Sequence, residues 1–481
     1  MASYSRTAYL ALKKETTEGT AVTPDVFIPF LSEDIVTEWG SIAAQPVANN
    51  RTLNIRRVDT AIPSPSGTIT IQIEPRNIPH FLLGVFGAVT TGRYIPCTSM
   101  SGAGFTAGET ITGGTSAATA VVTKASSEKD YVITGAFTGS FTDGETITGG
   151  TSAVTATLTK ADTAAYGHEF IAPQTTDETY TVEIGYDSEA IRYTGARFNG
   201  IKFNSADNVW IAELSVMARY EFKMARVTAV TTSGAGAKTI TVDQTTGLAT
   251  SDTIKLFRPV STNPSTGAYQ DFSAASTKTH TIGTIPTETT FTITTLQTST
   301  AVGDLIVLAP QTPSYSVGNE LAYIGQTVIR VDTTSDLIIT DTSTNTDTIE
   351  EFEINIENKI EFRHAANGAN VKDRFPAKSF LMGLTGSGKI TRTYTDPTYL
   401  DYLRKSRKFA LRILCTGAAL PNVADFNFSL DLRVADARYK PFAPSVSNDD
   451  LLNQEMEFDM NYDSSDAYMI KAIVVNENTS Y

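Results

Sequence analysis

Cysteine, histidine and long apolar runs are all scarce in this chain of 481 residues. Its two cysteines, Cys97 and Cys415, lie far apart, so neither a disulfide framework nor a thiolate metal site is written into it. His80, His168, His280 and His364 fall in separate segments with no His-x-x-His or Cys-His spacing, which excludes the usual metal-ligand patterns. No stretch reaches the roughly 20 apolar residues of a membrane helix. The start, Met1-Ala-Ser-Tyr-Ser-Arg, lacks the charged-then-apolar layout of a secretory signal, so a soluble product of a reducing cytoplasm is expected, without membrane insertion. The glycosylation-like Asn50-Arg-Thr and Asn427-Phe-Ser then count as chance. Basic residues are also in deficit: 38 Lys and Arg against 52 Asp and Glu leave a charge of −14, unsuited to gripping phosphate backbones through counterion release. Such a balance fits a surface along which nucleic acid slides freely.

Enzyme signatures fail on inspection. Gly383-Leu-Thr-Gly-Ser-Gly-Lys389 imitates a phosphate-binding loop, but Ile390 stands where Ser or Thr is needed, and a strand rather than a helix is expected to follow. A Gly-Ser turn entering that strand accounts for the glycines. Asp341-Thr-Ser-Thr-Asn-Thr-Asp347 opens like a calcium loop, yet lacks the central Gly and has Phe352 in place of the closing Glu. Arg404-Lys-Ser-Arg-Lys408 is expected to complement a helix C-terminus or a neighbour's acids. Neither catalysis nor a cofactor is expected.

What is present is β pattern. Gly67-Thr-Ile-Thr-Ile-Gln-Ile-Glu-Pro75 alternates Ile69, Ile71 and Ile73 with polar residues, the period of a strand with one buried face. After Pro75 the period changes, and Ile78, Phe81, Leu82 and Val85 recur at three and four, one face of a short helix. The same order returns in Gly388-Lys-Ile-Thr-Arg-Thr-Tyr-Thr-Asp-Pro397 and the helix after it. Ile69 matches Ile390 and, after a one-residue slip, Pro75 matches Pro397, Ile78 Leu400 and Phe81 Leu403. Two related halves are expected, covering 1–100 with 166–225, and 311–481.

Two insertions separate them. In 101–165, Gly108-Glu-Thr-Ile-Thr-Gly-Gly-Thr-Ser-Ala117 recurs unchanged as Gly144–Ala153, each copy reading as a strand, a Gly-Gly turn and a second strand. Two hairpin-rich modules in tandem, decorating an outer surface, are expected. Residues 226–310 form another β module with a fainter echo, Thr239-Ile-Thr-Val and Asp252-Thr-Ile-Lys-Leu against Phe291-Thr-Ile-Thr and Asp304-Leu-Ile-Val-Leu. The clearest strands come late. Glu351–Glu357 and Glu455–Tyr462 alternate, burying Phe352, Ile354, Ile356, Met456, Phe458, Met460 and Tyr462, and turning Glu351, Glu353, Glu357, Glu455, Glu457 and Asp459 to water. Two aperiodic excursions, 39–65 with Trp39, Arg51, Arg56 and Arg57, and 363–376 with Arg363, Lys372 and Arg374, each precede a Gly-strand-Pro-helix unit and read as interface loops.

Together with Lys14-Glu-Thr-Thr-Glu-Gly-Thr-Ala-Val-Thr-Pro24, Phe27-Ile-Pro-Phe-Leu-Ser-Glu33 and Asn448-Asp-Asp-Leu-Leu-Asn-Gln-Glu-Met-Glu-Phe-Asp459, the Gly67–Phe86 unit resembles the tail tube proteins of long-tailed siphovirus phages. The resemblance covers about 1–100, 166–225 and 311–481. It implies a mainly β chain with two tube units of β-sandwich or barrel-forming type, each with a short helix, plus the inserted β modules. It also implies trimeric rings of pseudo-six-fold symmetry, stacked into a tube in the virion, around a tape-measure protein and between terminator and baseplate components, with double-stranded DNA passing through. In that frame one of the two acidic faces lines the lumen, and the two excursions contact the next ring. A rival reading is a β-rich virion adhesin or distal-tail binding protein whose Thr/Gly-rich modules bind a surface glycan.

Overall fold

The computed structural model describes residues 7–39, 42–44, 56–58, 63–126, 128–172, 178–205, 208–233, 237–259, 269–271, 279–293, 302–315, 322–332, 349–363, 378–394, 397–421, 423, 425–442 and 453–481. The chain is mainly β. It opens with β1 (Tyr9–Lys14), β2 (Val36–Trp39) and β3 (Pro63–Gln72), then the helix α1 (Ile78–Phe86). Alternation puts Ile69 and Ile71 of β3 and Ile73 just beyond it in the core, each fully buried residue contributing about 2 kcal/mol. Nearly all of α1 is buried, with Phe81 set edge-on to Phe198 at 5.2 Å. The helix stops at Gly87, whose left-handed φ of 82° lets its N–H reach the Leu83 carbonyl.

The first insertion is one closed barrel, not two modules. Its six strands are β4 (Thr90–Thr98), β5 (Thr110–Gly113), β6 (Thr119–Ala125), β7 (Tyr131–Thr134), β8 (Thr146–Gly149) and β9 (Thr155–Leu158). They pair in the cycle β4, β7, β6, β5, β8, β9 and back to β4. The repeats meet through themselves: Ile111 lies opposite Gly149 and Ile147 opposite Gly113. Closure removes exposed edges and encloses Ile95, Ile111, Val122, Val132, Ile147 and Leu158. Because β4 precedes the repeats and supplies a stave, the repeat alone could not reveal the closure.

The chain returns through β10 (Tyr166–Ala172), β11 (Tyr180–Gly185), β12 (Ala190–Asn204), β13 (Ile211–Met217) and β14 (Tyr220–Phe222). In the second insertion the echoing segments are also neighbours, with Ile240 opposite Phe291 and Leu256 opposite Ile306. One local device recurs in both insertions. Gly108, Gly144, Ser251 and Gly303 all adopt positive φ (87°, 80°, 72° and 94°), and each is followed by an acid that opens a strand.

The last third holds β15 (Thr327–Asp332), β16 (Ile349–Arg363), β17 (Lys378–Thr393), α2 (Thr398–Arg404), β18 (Phe409–Ala419), β19 (Asn427–Tyr439), β20 (Asn453–Asn461) and β21 (Ile470–Asn476). Two layers enclose the main core. One is the continuous antiparallel sheet β2, β3, β13, β12, β16, β17, β20, β19. The other is built on β1, β11 and β12 and on β15, β18, β19, β21 and β10, with β12 and β19 long enough to serve both layers.

Several expectations change. Gly383–Lys389 lies inside β17, not in a turn; Gly388 is there because a Cβ would fall 2.2 Å from the Phe458 ring that crosses it. The excursion 39–65 contains strand: Trp39 lies opposite Pro63, and Ile42–Ala44 pairs with Arg56–Val58, so its described residues are paired rather than loop. In α2 the buried residue is Tyr399, not Leu400, because its ring packs on Tyr439 and under Arg392. Tyr462 lies past the end of β20 and is exposed rather than buried. The calcium-like Asp341–Asp347 segment falls outside the described residues.

Candidate functional site

The eight-stranded sheet brings the six expected acids onto one face. Ile354, Ile390 and Met456 point into the core, so the residues alternating with them point the other way. Asn204, Glu353, Lys389 and Glu457 stand opposite one another on four successive strands, β12, β16, β17 and β20. The row on one side is Glu351, Thr391 and Glu455; on the other it is Lys202, Asn355, Ser387, Asp459 and Arg438. Glu357 lies one row further, opposite Gly200 and Thr385. What the sequence presents as two separate acidic faces is therefore one surface, with β17 between its two acidic strands.

Lysines interleave with the acids. Lys202 is 3.2 Å from Glu353, Lys389 3.2 Å from Glu455 and Lys440 2.9 Å from Asp459. The hydrogen bond to Asp459 raises the Lys440 pKa above the ordinary ammonium value. Exposed pairs of this kind add about 0–1 kcal/mol each, so their effect is on the field rather than on stability. Glu213 on β13 joins the surface, accepting from the Asn204 side chain at 3.2 Å. Acids outnumber cations, and none of the acids is sequestered. Sequence reading missed Lys202, Lys440 and Glu213; Lys389 was visible only as part of the phosphate-loop imitation.

The expected interface residues divide. Trp39 ends β2, and Arg56 and Arg57 sit on the short strand opposite Ala44 and Ala43. Arg363 ends β16, 3.0 Å from Glu361 and with its guanidinium 5.2 Å from the Phe380 ring centroid. Arg51, Lys372 and Arg374 lie outside the described residues. At the same end of the β16–β17 hairpin, Phe380, Leu381 and Met382 are exposed, Met382 by 59%. That apolar run was legible as three consecutive large side chains, but not as a surface.

This face presents charged and hydrogen-bonding side chains. Among the described residues no three His, Cys, Asp or Glu side chains converge to hold a metal ion. His168 is buried between Thr91 and Asn476, and burial pushes its pKa down to about 4; burial does the same to His80. Both are neutral at pH 7 and packed against Tyr481. Burial raises the Cys97 thiol to about 12, which leaves it unreactive. No described helix is long and apolar enough to cross a membrane. No protein-family model and no curated protein matches this chain.

Proposed function

We propose that this chain is the tail tube protein of a long-tailed phage, assembling as rings of three chains that stack into the tube conducting DNA to the host. The first support is a register repeated between the halves. In β11 and β12, Tyr180 opposes Ala196 and Val182 opposes Tyr193, with a bulge between; in β18 and β19, Phe409 opposes Ala437 and Leu411 opposes Val434, with the same bulge. Gly67 opposes Val216 as Gly388 opposes Phe458, and Leu12 opposes Val182 as Val331 opposes Leu411. Two copies of one unit account for all four correspondences.

The observation that carries the proposal is the joint between those copies. Gly200–Asn204 of β12, in the first unit, pairs along Glu353–Glu357 of β16, in the second. By the same register, the matching edges are the segment around β2 in the first unit and 441–445, past the end of β19, in the second, of which 443–445 lie outside the described residues. Among the described residues β2 pairs only with β3. Unpaired edges are templates for a further strand. Laying β2 of one chain along the continuation of β19 in the next repeats the internal joint, and three chains then close six units.

In such a ring the polar face becomes the lumen wall. Its excess of acids repels phosphate, so a tube grown around a tape-measure protein later passes DNA without adhesion. The hairpins carrying Trp39 and Arg363 project toward the next ring, and terminator and baseplate components bound the stack. Val36, 58% exposed on the free edge, is the point to test. Val36→Lys is expected to give folded, soluble chains that neither ring nor stack, seen by size-exclusion chromatography and negative-stain microscopy. Tubes of normal form from that variant would overturn the edge-pairing model.

A further inference from the structure

Two buried arginines stand on the side of the second layer that faces away from the core. Tyr193 and Val434 occupy matching places beside the repeated bulge and point inward, so Arg192 and Arg433, each one residue earlier, point outward. Both are among the most completely buried side chains of the chain. Arg192 donates to Glu183 on the neighbouring strand at 2.6 Å, to Asp252 at 3.0 Å and to the Gly247 carbonyl at 3.2 Å. Asp252 and Gly247 belong to the insertion 226–310. Arg433 donates to Asp431 at 2.7 Å and to Asp130 at 3.1 Å, and lies 3.5 Å from Glu128. Asp130 and Glu128 belong to the barrel.

We infer that this position is a docking socket of the repeated unit, in which a buried arginine takes a carboxylate-bearing loop, and that the two insertions are plugged into its two copies. The inference rests on the two-unit reading above. Chain order does not impose the arrangement: the barrel interrupts the first half, yet its loop reaches Arg433 in the second. The strand beside each socket is also tied to an insertion, one by chain continuity and the other by sheet pairing. Arg192 lies opposite Phe222 of β14, directly before the second insertion. Arg433 lies opposite Lys471 of β21, which pairs with β10, and β10 pairs with the barrel stave β4. Glu128 is bound further by the Lys471 ammonium and the Tyr468 hydroxyl.

A guanidinium taken out of water must be matched by carboxylates, so neither side of the joint is stable alone. Each insertion is thus a rigid projection on the side opposite the polar face. In a ring of three chains the two kinds alternate over six equivalent stations on the outer wall.

Hydrogen exchange of the full-length chain tests the socket. Asp252→Asn, which keeps shape and removes charge, is expected to speed exchange of the amides in 237–259 roughly tenfold while 110–158 keep wild-type protection. Asp130→Asn is expected to do the reverse, and Arg433→Lys, which cannot bridge several carboxylates, to act like Asp130→Asn. Unchanged protection in the adjoining insertion, or equal loosening of both by either aspartate variant, would overturn the socket. The readout needs no assembly: particles without rings combined with this selective pattern would refute the tube and leave the socket standing.

Discussion

Glu109 and Glu145 hold matching places in the two repeats of the barrel, and each serves the other's turn. Glu145 accepts from the Thr115 and Ser116 N–H groups, both at 2.9 Å, and from the Ser116 hydroxyl at 2.7 Å; Glu109 accepts from Thr151, Ser152 and the Ser152 hydroxyl in the same way. Burial alone would raise the Glu145 pKa, but the Ser116 and backbone donors hold it down at about 2, and Glu109 is lowered by its own donors. A carboxylate whose folded pKa lies below its unfolded value of about 4.3 stabilises fully above that value. Its contribution is lost as pH falls from about 4.3 toward 2. The barrel is therefore expected to loosen over that window, followed by exchange of the 110–158 amides, and Glu145→Gln should flatten the dependence. An equally steep acid transition in the Gln variant would contradict the assignment. The sequence contains the duplicated Gly-Glu-Thr-Ile-Thr, but not the exchange of partners, because each acid takes only the Thr106 or Thr142 N–H from its own copy and its Thr-Ser turn donors from the other.

At the scale of elements, α2 separates local pattern from packing. Its three- and four-residue spacing reads equally well with Leu400 or Tyr399 facing inward, and only the ring packing on Tyr439 and Arg392 selects Tyr399. Tyr399→Ala is expected to cost about 3 kcal/mol in denaturant unfolding, and Leu400→Ala less than about 1. The reverse order would restore the one-residue slip. Strands with one wet face were legible: Glu351–Glu357 and Glu455–Asn461 alternate in the structure as they do in the sequence. That β17 lies between them was not, since a period of two says which face is buried and nothing about the neighbour. The pairing within 39–65 was missed for a related reason. Its Ile42–Ala44 and Arg56–Val58 strands are too short for a period to register, and pairing alone defines them. The barrel escaped because its closing stave lies outside the repeat.

For the whole molecule, the order of layers carries the account: a polar face, a sheet, a core, a second sheet, and insertions held on buried arginines. Net acidity of −14 foreshadows the polar face, although composition cannot say that cations such as Lys202, Lys389 and Lys440 are threaded through it. Repetition of the β12–β16 joint between chains would turn that face inward and the insertions outward in one step. The direct measurement is electron microscopy of the purified chain over a range of concentration. Hollow rings or tubes with three chains per ring, six wall units around the lumen and six projections outside are the expected result. Particles that remain single chains at every concentration, or rings with the insertions lining the lumen, would contradict the account.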